Sequence, residues 1–150
     1  MTDEEKDYET FKLYMELWKS ENPIKTNKLQ VLLLVNGLLI SAACISGGFN
    51  RGNWFLFLAG FVFSFIWLLS LGRTCLFQKV WQIKAKEIAA KKEYINDPRF
   101  SILDTTDAEQ GAAIWLRILG GMPSKFYLLG TPLLFSVLWL VGLVFILLVQ

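Results

Sequence analysis

The sequence predicts an all-α integral membrane protein with three transmembrane helices and amphipathic helices outside the bilayer. Three stretches contain no Asp, Glu, Lys or Arg, and they run from Leu29 to Ser46, from Trp54 to Leu71 and from Phe126 to Val149. Each has close to the roughly 20 apolar residues that a helix needs to cross the core of a bilayer. We therefore expect four regions: a water-exposed segment 1–28, a transmembrane hairpin 29–71, a second water-exposed segment 72–125 and a final span 126–150.

The basic residues predict how the chain is oriented. Three spans place segments 1–28 and 72–125 on the same side of the membrane, and these segments hold all but one of the 15 Lys and Arg residues. The connector between the first two spans holds only Arg51. Because basic loops stay in the cytoplasm, we expect the amino terminus inside the cell and the carboxyl terminus outside. Most of the soluble mass then faces the cytoplasm.

The amino-terminal segment predicts an amphipathic helix from about Asp3 to Glu21. Thr2 and Glu5 have the spacing of a capping box, and Pro23 is expected to end the helix and turn the chain. Apolar residues recur every three or four positions and form an aromatic stripe of Tyr8, Phe11, Tyr14, Met15 and Trp18. Anionic lipid headgroups would repel the many carboxylates of this helix, which favours packing against protein. We therefore assign the aromatic stripe to a protein partner.

The first two spans carry small and polar residues at helical spacing. These are Gln30, Asn36, Gly37, Ser41 and Cys44 in the first span and Gly60 and Ser64 in the second. Small residues let helices approach closely where lipid provides no hydrophobic drive, and a buried amide such as that of Asn36 needs a partner. Two interpretations stay open: the residues pack helices together, or they line a pore formed by several subunits.

The segment after the second span predicts a continuation of that helix to about Tyr94. Its basic residues, Lys79, Lys84, Lys86, Lys91 and Lys92, are candidates for contact with anionic lipid. The alternative is a solvated face that only obeys the orientation rule, and nucleic acid is not an expected partner. A second capping box, Thr106 with Glu109, predicts another helix that ends near Gly120.

The residue inventory argues against an enzyme. The chain has no histidine, which is the commonest general base and metal ligand, and it has neither a phosphate-binding GxxxxGK[ST] loop nor a GxSxG motif. Cys44 and Cys75 are expected near opposite faces of the membrane, too far apart for a disulfide or a shared metal. We therefore predict no catalytic, cofactor-binding or metal-binding residues.

The order of segments over residues 8–92 resembles two bacterial membrane families. An aromatic helix with Leu17 and Trp18 precedes the stretch Lys25 to Lys28, a Gly- and Ser-rich span follows, and the second span leaves through Trp67 and Arg73 into a basic helix. This layout resembles the RipA-like family of small oligomeric inner-membrane proteins and, second, the SLATT-type membrane effectors of phage defence systems. The resemblance implies a homo-oligomer in the bacterial inner membrane without catalytic residues. The third span departs from the two-span SLATT plan.

Three functions are compatible with this pattern. The first is a homo-oligomeric scaffold or regulator that docks a cytoplasmic protein. The second is an oligomeric channel or pore-forming effector, and the third is an accessory subunit of a larger membrane complex.

Overall fold

The computed structural model describes residues 2–91, 94, 97, 99–100 and 124–149. Helix α1 spans Asp3–Ile45, a short 3-10 helix spans Arg51–Asn53, helix α2 spans Trp54–Ala89 and helix α3 spans Ser124–Val149. The described residues contain no strand. All three α-helices are long and apolar enough to cross a membrane, so the prediction of an all-helical, multi-pass membrane protein is confirmed at that level. The helix predicted to start at Thr106 and the residue Lys92 lie outside the described residues.

Helix α1 begins at the predicted capping box. The Thr2 amide donates to Glu5 Oε2 at 2.7 Å, and the Glu5 amide donates to Thr2 Oγ1 at 3.2 Å. Three carboxylates, Asp3, Glu4 and Glu5, occupy the first turn, where the positive end of the helix dipole favours them.

The prediction that Pro23 ends the first helix is wrong. Helix α1 continues through Pro23 and is 43 residues long. A proline in a helix removes one hydrogen bond and costs roughly 3 kcal/mol. Here the helix extends for about five turns on each side of Pro23, and this cooperative length outweighs a single local defect.

The connector after α1 forms a tight turn, as its glycines predict. The Gly48 amide donates to Ala43 O at 2.8 Å and the Gly47 amide to Cys44 O at 3.4 Å, which is the Schellman pattern of a helix end. Gly47 has φ +97°, a conformation that glycine adopts without strain. The side chain of the buried Asn53 also donates from Nδ2 to Ser46 O and Gly48 O, at 3.1 and 2.9 Å.

Helix α2 continues past the second apolar stretch but ends at Ala89, about one turn earlier than predicted. Turns at Ala90 and Lys91 follow, with Lys91 donating its amide to Ile88 O at 3.1 Å. Helix α3 contains the fully buried Pro132 without interruption, and Ser136 Oγ donates to Pro132 O at 2.8 Å.

The chain divides into two compact units, which we name by their contents. The aromatic unit comprises Met1–Asn22 and Cys75–Pro123, and the membrane unit comprises Pro23–Thr74 and Ser124–Gln150. The buried core of the aromatic unit includes Phe11, Ala85, Tyr94 and Phe100. That of the membrane unit includes Ala43, Phe57, Trp139 and Ile146. Both cysteines are free thiols, with Cys44 exposed and Cys75 buried.

Candidate functional site

The side chain of Asn36 joins all three helices of the membrane unit. It is completely buried, and its Oδ1 accepts hydrogen bonds from Trp139 Nε1 at 2.6 Å and from Ser64 Oγ at 3.2 Å. Its Nδ2 donates to Leu32 O at 2.8 Å, one turn earlier in α1. The amide therefore finds its partners inside the chain, in a network that we call the Asn36 junction.

Close helix contacts surround the Asn36 junction. A Cβ atom added to Gly60 would overlap the indole of Trp139, and one added to Gly142 would overlap the ring of Phe57. The rings of Phe57 and Trp139 meet edge to face with centroids 5.3 Å apart. Glycine at these two positions lets α3 approach α2 closely.

The predicted small residues of α1 separate into two groups. Asn36 lies in the interior with Ser64 of α2, whereas Gln30, Gly37, Ser41 and Cys44 are exposed. An added Cβ at Gly37 would meet no atom within 4 Å. Ser41 Oγ donates to Gly37 O at 2.8 Å, so the hydroxyl is satisfied within α1. Sequence reasoning placed all of these residues in one set, but only part of that set packs helices within the chain.

Sequence reasoning missed two parts of the membrane unit. Trp139 was not selected, although its indole N–H is a polar donor in the middle of an aliphatic span, and buried donors need acceptors. The second part closes the hairpin near its basic end. There Lys28 Nζ donates to Thr74 Oγ1 at 2.8 Å and to Ser70 O at 3.3 Å, and Trp67 Nε1 donates to Lys28 O at 2.7 Å.

The aromatic stripe packs against its own unit. Phe11 is 2% exposed, and its ring lies 5.1 Å from that of Phe100. Tyr8, Tyr14 and Met15 are half-buried against the same cluster, and Trp18 is half-buried. A partner can therefore reach only parts of these side chains. Their assignment to a partner stays a prediction, restricted to the half-buried members.

Ion pairs in the aromatic unit connect the start of α1 with residues that follow α2. Asp7 Oδ2 accepts hydrogen bonds from Lys91 and, at 2.9 Å, from the Tyr94 hydroxyl, and these bonds hold the pKa of Asp7 below its ordinary value of 3.8. Arg99 donates to Asp97 Oδ2 at 2.6 Å and to Glu4 Oε1 at 2.5 Å. The bonds from Arg99 lower the pKa of Asp97, and the two carboxylates raise the pKa of Arg99.

The predicted lipid-contacting lysines have different surroundings. Lys84 Nζ lies 5.7 Å from the ring centroids of both Tyr14 and Trp81, a cation–π geometry. Lys79 contacts Gln82 Oε1 at 3.4 Å, Lys86 is exposed and Lys91 pairs with Asp7. Their contact with anionic lipid stays a prediction.

One apolar face of α2 in the aromatic unit remains exposed. Ala85 on the buried face is completely covered, whereas Leu76 and Ile83 on the opposite face are 63% and 44% exposed. Val80 lies between them and is half-buried. We call Leu76, Val80 and Ile83 the exposed stripe. Helical spacing places Lys79 and Lys86 along one border and Lys84 along the other.

The described residues contain no group of three His, Cys, Asp or Glu side chains that can hold a metal ion. In the membrane unit, the polar groups of the Asn36 junction and of the Lys28 contacts are amide, hydroxyl, indole and ammonium groups. They form hydrogen bonds with one another or with backbone carbonyls. No protein-family model, curated protein or solved structure matches this chain.

Proposed function

We propose that the protein is a non-enzymatic, homo-oligomeric scaffold or regulator of the bacterial inner membrane that docks a cytoplasmic protein. The observation that carries this proposal is the exposed stripe, because an apolar helix face bordered by Lys79, Lys84 and Lys86 fits an amphipathic partner with acidic flanks. The resemblance to RipA-like proteins and the one-sided distribution of basic residues support the same location and orientation.

The position of Ile83 at the far end of the exposed stripe favours a protein over lipid. Helix α2 is continuous from Trp54 to Ala89, and its apolar stretch ends at Leu71. At 1.5 Å per residue, Ile83 lies about 18 Å further along the helix axis. The headgroup layer is only about 5 to 8 Å thick on each side of the hydrocarbon core. A helix that leaves the bilayer along its own axis therefore carries Ile83 beyond the lipid.

The exposed residues of α1 support self-association. Gln30, Gly37 and Ser41 lie on one face of the span, and Gly37 has open space around it. A second copy can approach this face closely because glycine presents no side chain. The Asn36 junction argues against the pore alternative, because Asn36 and Ser64 already bond to each other within one chain.

Site-specific photocrosslinking tests the docking proposal. A photoreactive residue at Ile83 should yield a discrete adduct with one cytoplasmic protein, and Leu76→Gln should reduce that adduct several-fold. Leu13 supplies the matched control, because it is 52% exposed on α1 of the same unit but lies off the exposed stripe. A photoreactive residue there should give no such adduct, and Leu13→Gln should not change the yield at Ile83.

The particle extracted in mild detergent provides a second measurement on the same membranes. We expect a mass of at least two chains. A strictly monomeric particle, together with adducts to lipid alone at Ile83, would overturn the proposal. Rapid degradation of the chain in cells that lack one particular membrane complex would instead identify it as an accessory subunit.

A further inference from the structure

The membrane unit contains an apolar cavity between its three helices and the connector. Its volume is about 280 Å³, and residues from all three helices and the connector line it: Ile40, Ala43, Cys44, Phe49, Leu138 and Trp139 among them. An apolar cavity of about 150 Å³ already stays dry and binds a molecule such as benzene. The cavity here is larger and partly open to the surroundings, and its apolar lining suits an apolar ligand rather than water.

The polar groups near the cavity are already occupied. Trp139 has a single donor, and that donor is bonded to Asn36. The cavity wall thus consists of aliphatic and aromatic surface together with the Cys44 thiol. Along α1, the lining runs from Ile40 to Cys44, which corresponds to about 6 Å of helix, and it continues through Gly48 and Phe49 of the connector. This shape fits a segment of hydrocarbon chain.

Arg51 is the charged residue that follows the cavity lining of the connector in the chain. It starts the 3-10 helix two residues after Phe49, which lines the cavity. Its guanidinium is exposed and has no hydrogen-bond or ion-pair partner among the described residues. Residues 29–71 and 126–150 contain no Asp or Glu, so the spans and the connector offer Arg51 no acidic side chain.

We propose that the cavity binds one acyl chain of a membrane phospholipid whose phosphate pairs with Arg51. The phosphate of a lipid is the anion available at the membrane surface, and arginine binds phosphate through two parallel hydrogen bonds. The acyl chain fills the space between α1 and α3. The site lies in the leaflet at the connector, opposite the basic ends of the helices, and does not depend on the docking proposal.

Native mass spectrometry of the full chain in detergent tests this site, with phosphatidylglycerol as the added lipid. The wild-type protein should retain one lipid per chain. Leu138→Trp fills the cavity and should weaken retention at least about tenfold, since the acyl chain loses its space. Leu134→Trp is the matched control, because Leu134 is equally exposed on α3 but does not line the cavity. It should bind lipid as the wild type does.

A second binding experiment tests the contact between Arg51 and the lipid headgroup. Arg51→Gln should weaken phosphatidylglycerol binding about tenfold, whereas diacylglycerol, which has the same chains without phosphate, should bind the wild type and Arg51→Gln equally. Equal lipid retention by Leu138→Trp and Leu134→Trp would overturn the proposal. It would also be overturned if Leu138→Trp changed the number of chains in the particle but not the lipid count, because the cavity would then receive a second copy.

Discussion

At the scale of single residues, Asn36 shows how a polar group is accommodated in an apolar bundle. Removing an amide from water without hydrogen bonds costs several kcal/mol, and lipid offers no replacement partners. The three hydrogen bonds of Asn36 involve Leu32, Ser64 and Trp139, so they connect α1 with both other helices. These directional bonds fix the register of the spans more strictly than leucine packing can.

Substituting Asn36→Leu should destabilise the protein by roughly 1 to 2 kcal/mol, because the buried Trp139 N–H loses its acceptor. Trp139→Phe removes that donor, and in the double variant neither group is left unpaired. The combined loss should therefore be smaller than the sum of the two single losses. Unfolding in detergent micelles with increasing dodecyl sulfate measures all three variants. Strictly additive losses would show that the 2.6 Å contact contributes nothing.

The sequence predicted the need of Asn36 for a partner but not the partner itself. An amide between Leu32 and Leu39 is conspicuous in any hydropathy pattern. The identity of its partner depends on how three helices are rotated and shifted relative to one another, and short periodic patterns do not contain this information. A search for every hydrogen-bond donor within the spans would have found Trp139.

At the scale of helices, local sequence propensity predicted the helix ends and the buried faces least well where the helices are long. Proline predicts an end because it removes a hydrogen bond, yet α1 passes through Pro23. In the structure Trp81 and Ile88 pack inward while Leu76 and Ile83 point outward. Burial in α2 depends on α1 covering one side only, which periodicity within α2 cannot specify.

Close packing of α2 against α3 predicts a specific glycine effect. Gly60→Ala should destabilise the protein by roughly 1 to 3 kcal/mol, because the new methyl group overlaps the Trp139 indole. Gly72→Ala is the matched control in the same helix, since its methyl group meets no atom within 4 Å. Alanine there should be neutral or stabilising by up to about 1 kcal/mol. The unfolding assay compares the two, and equal effects would contradict the close approach of α3.

At the scale of the whole molecule, the two units differ in the interactions that stabilise each of them internally. The aromatic unit combines a cluster of rings with ion pairs around Asp7 and Arg99. The Asn36 junction consists of amide, hydroxyl and indole groups, none of which changes its charge between acidic and neutral pH. The units should therefore respond differently to acid.

As the pH falls, the aromatic unit should lose stability before the membrane unit does. The folded state lowers the pKa of Asp7 below 3.8, so this carboxylate stabilises the fold above 3.8 and loses its contribution as the pH falls through the lowered value. Asp97, whose pKa is lowered by Arg99, acts in the same direction. Stability should be constant from neutral pH down to about pH 5 and should fall below that.

Amide NMR signals distinguish the two units during this titration. The signal of Ala85, in the core of the aromatic unit, should broaden or shift below about pH 4, while that of Ser64, beside Asn36, should stay in place. Asp7→Asn should remove part of the change at Ala85, because asparagine does not titrate. If both signals changed together at one pH, the two units would unfold as a single cooperative body and the partition between them would have no energetic meaning.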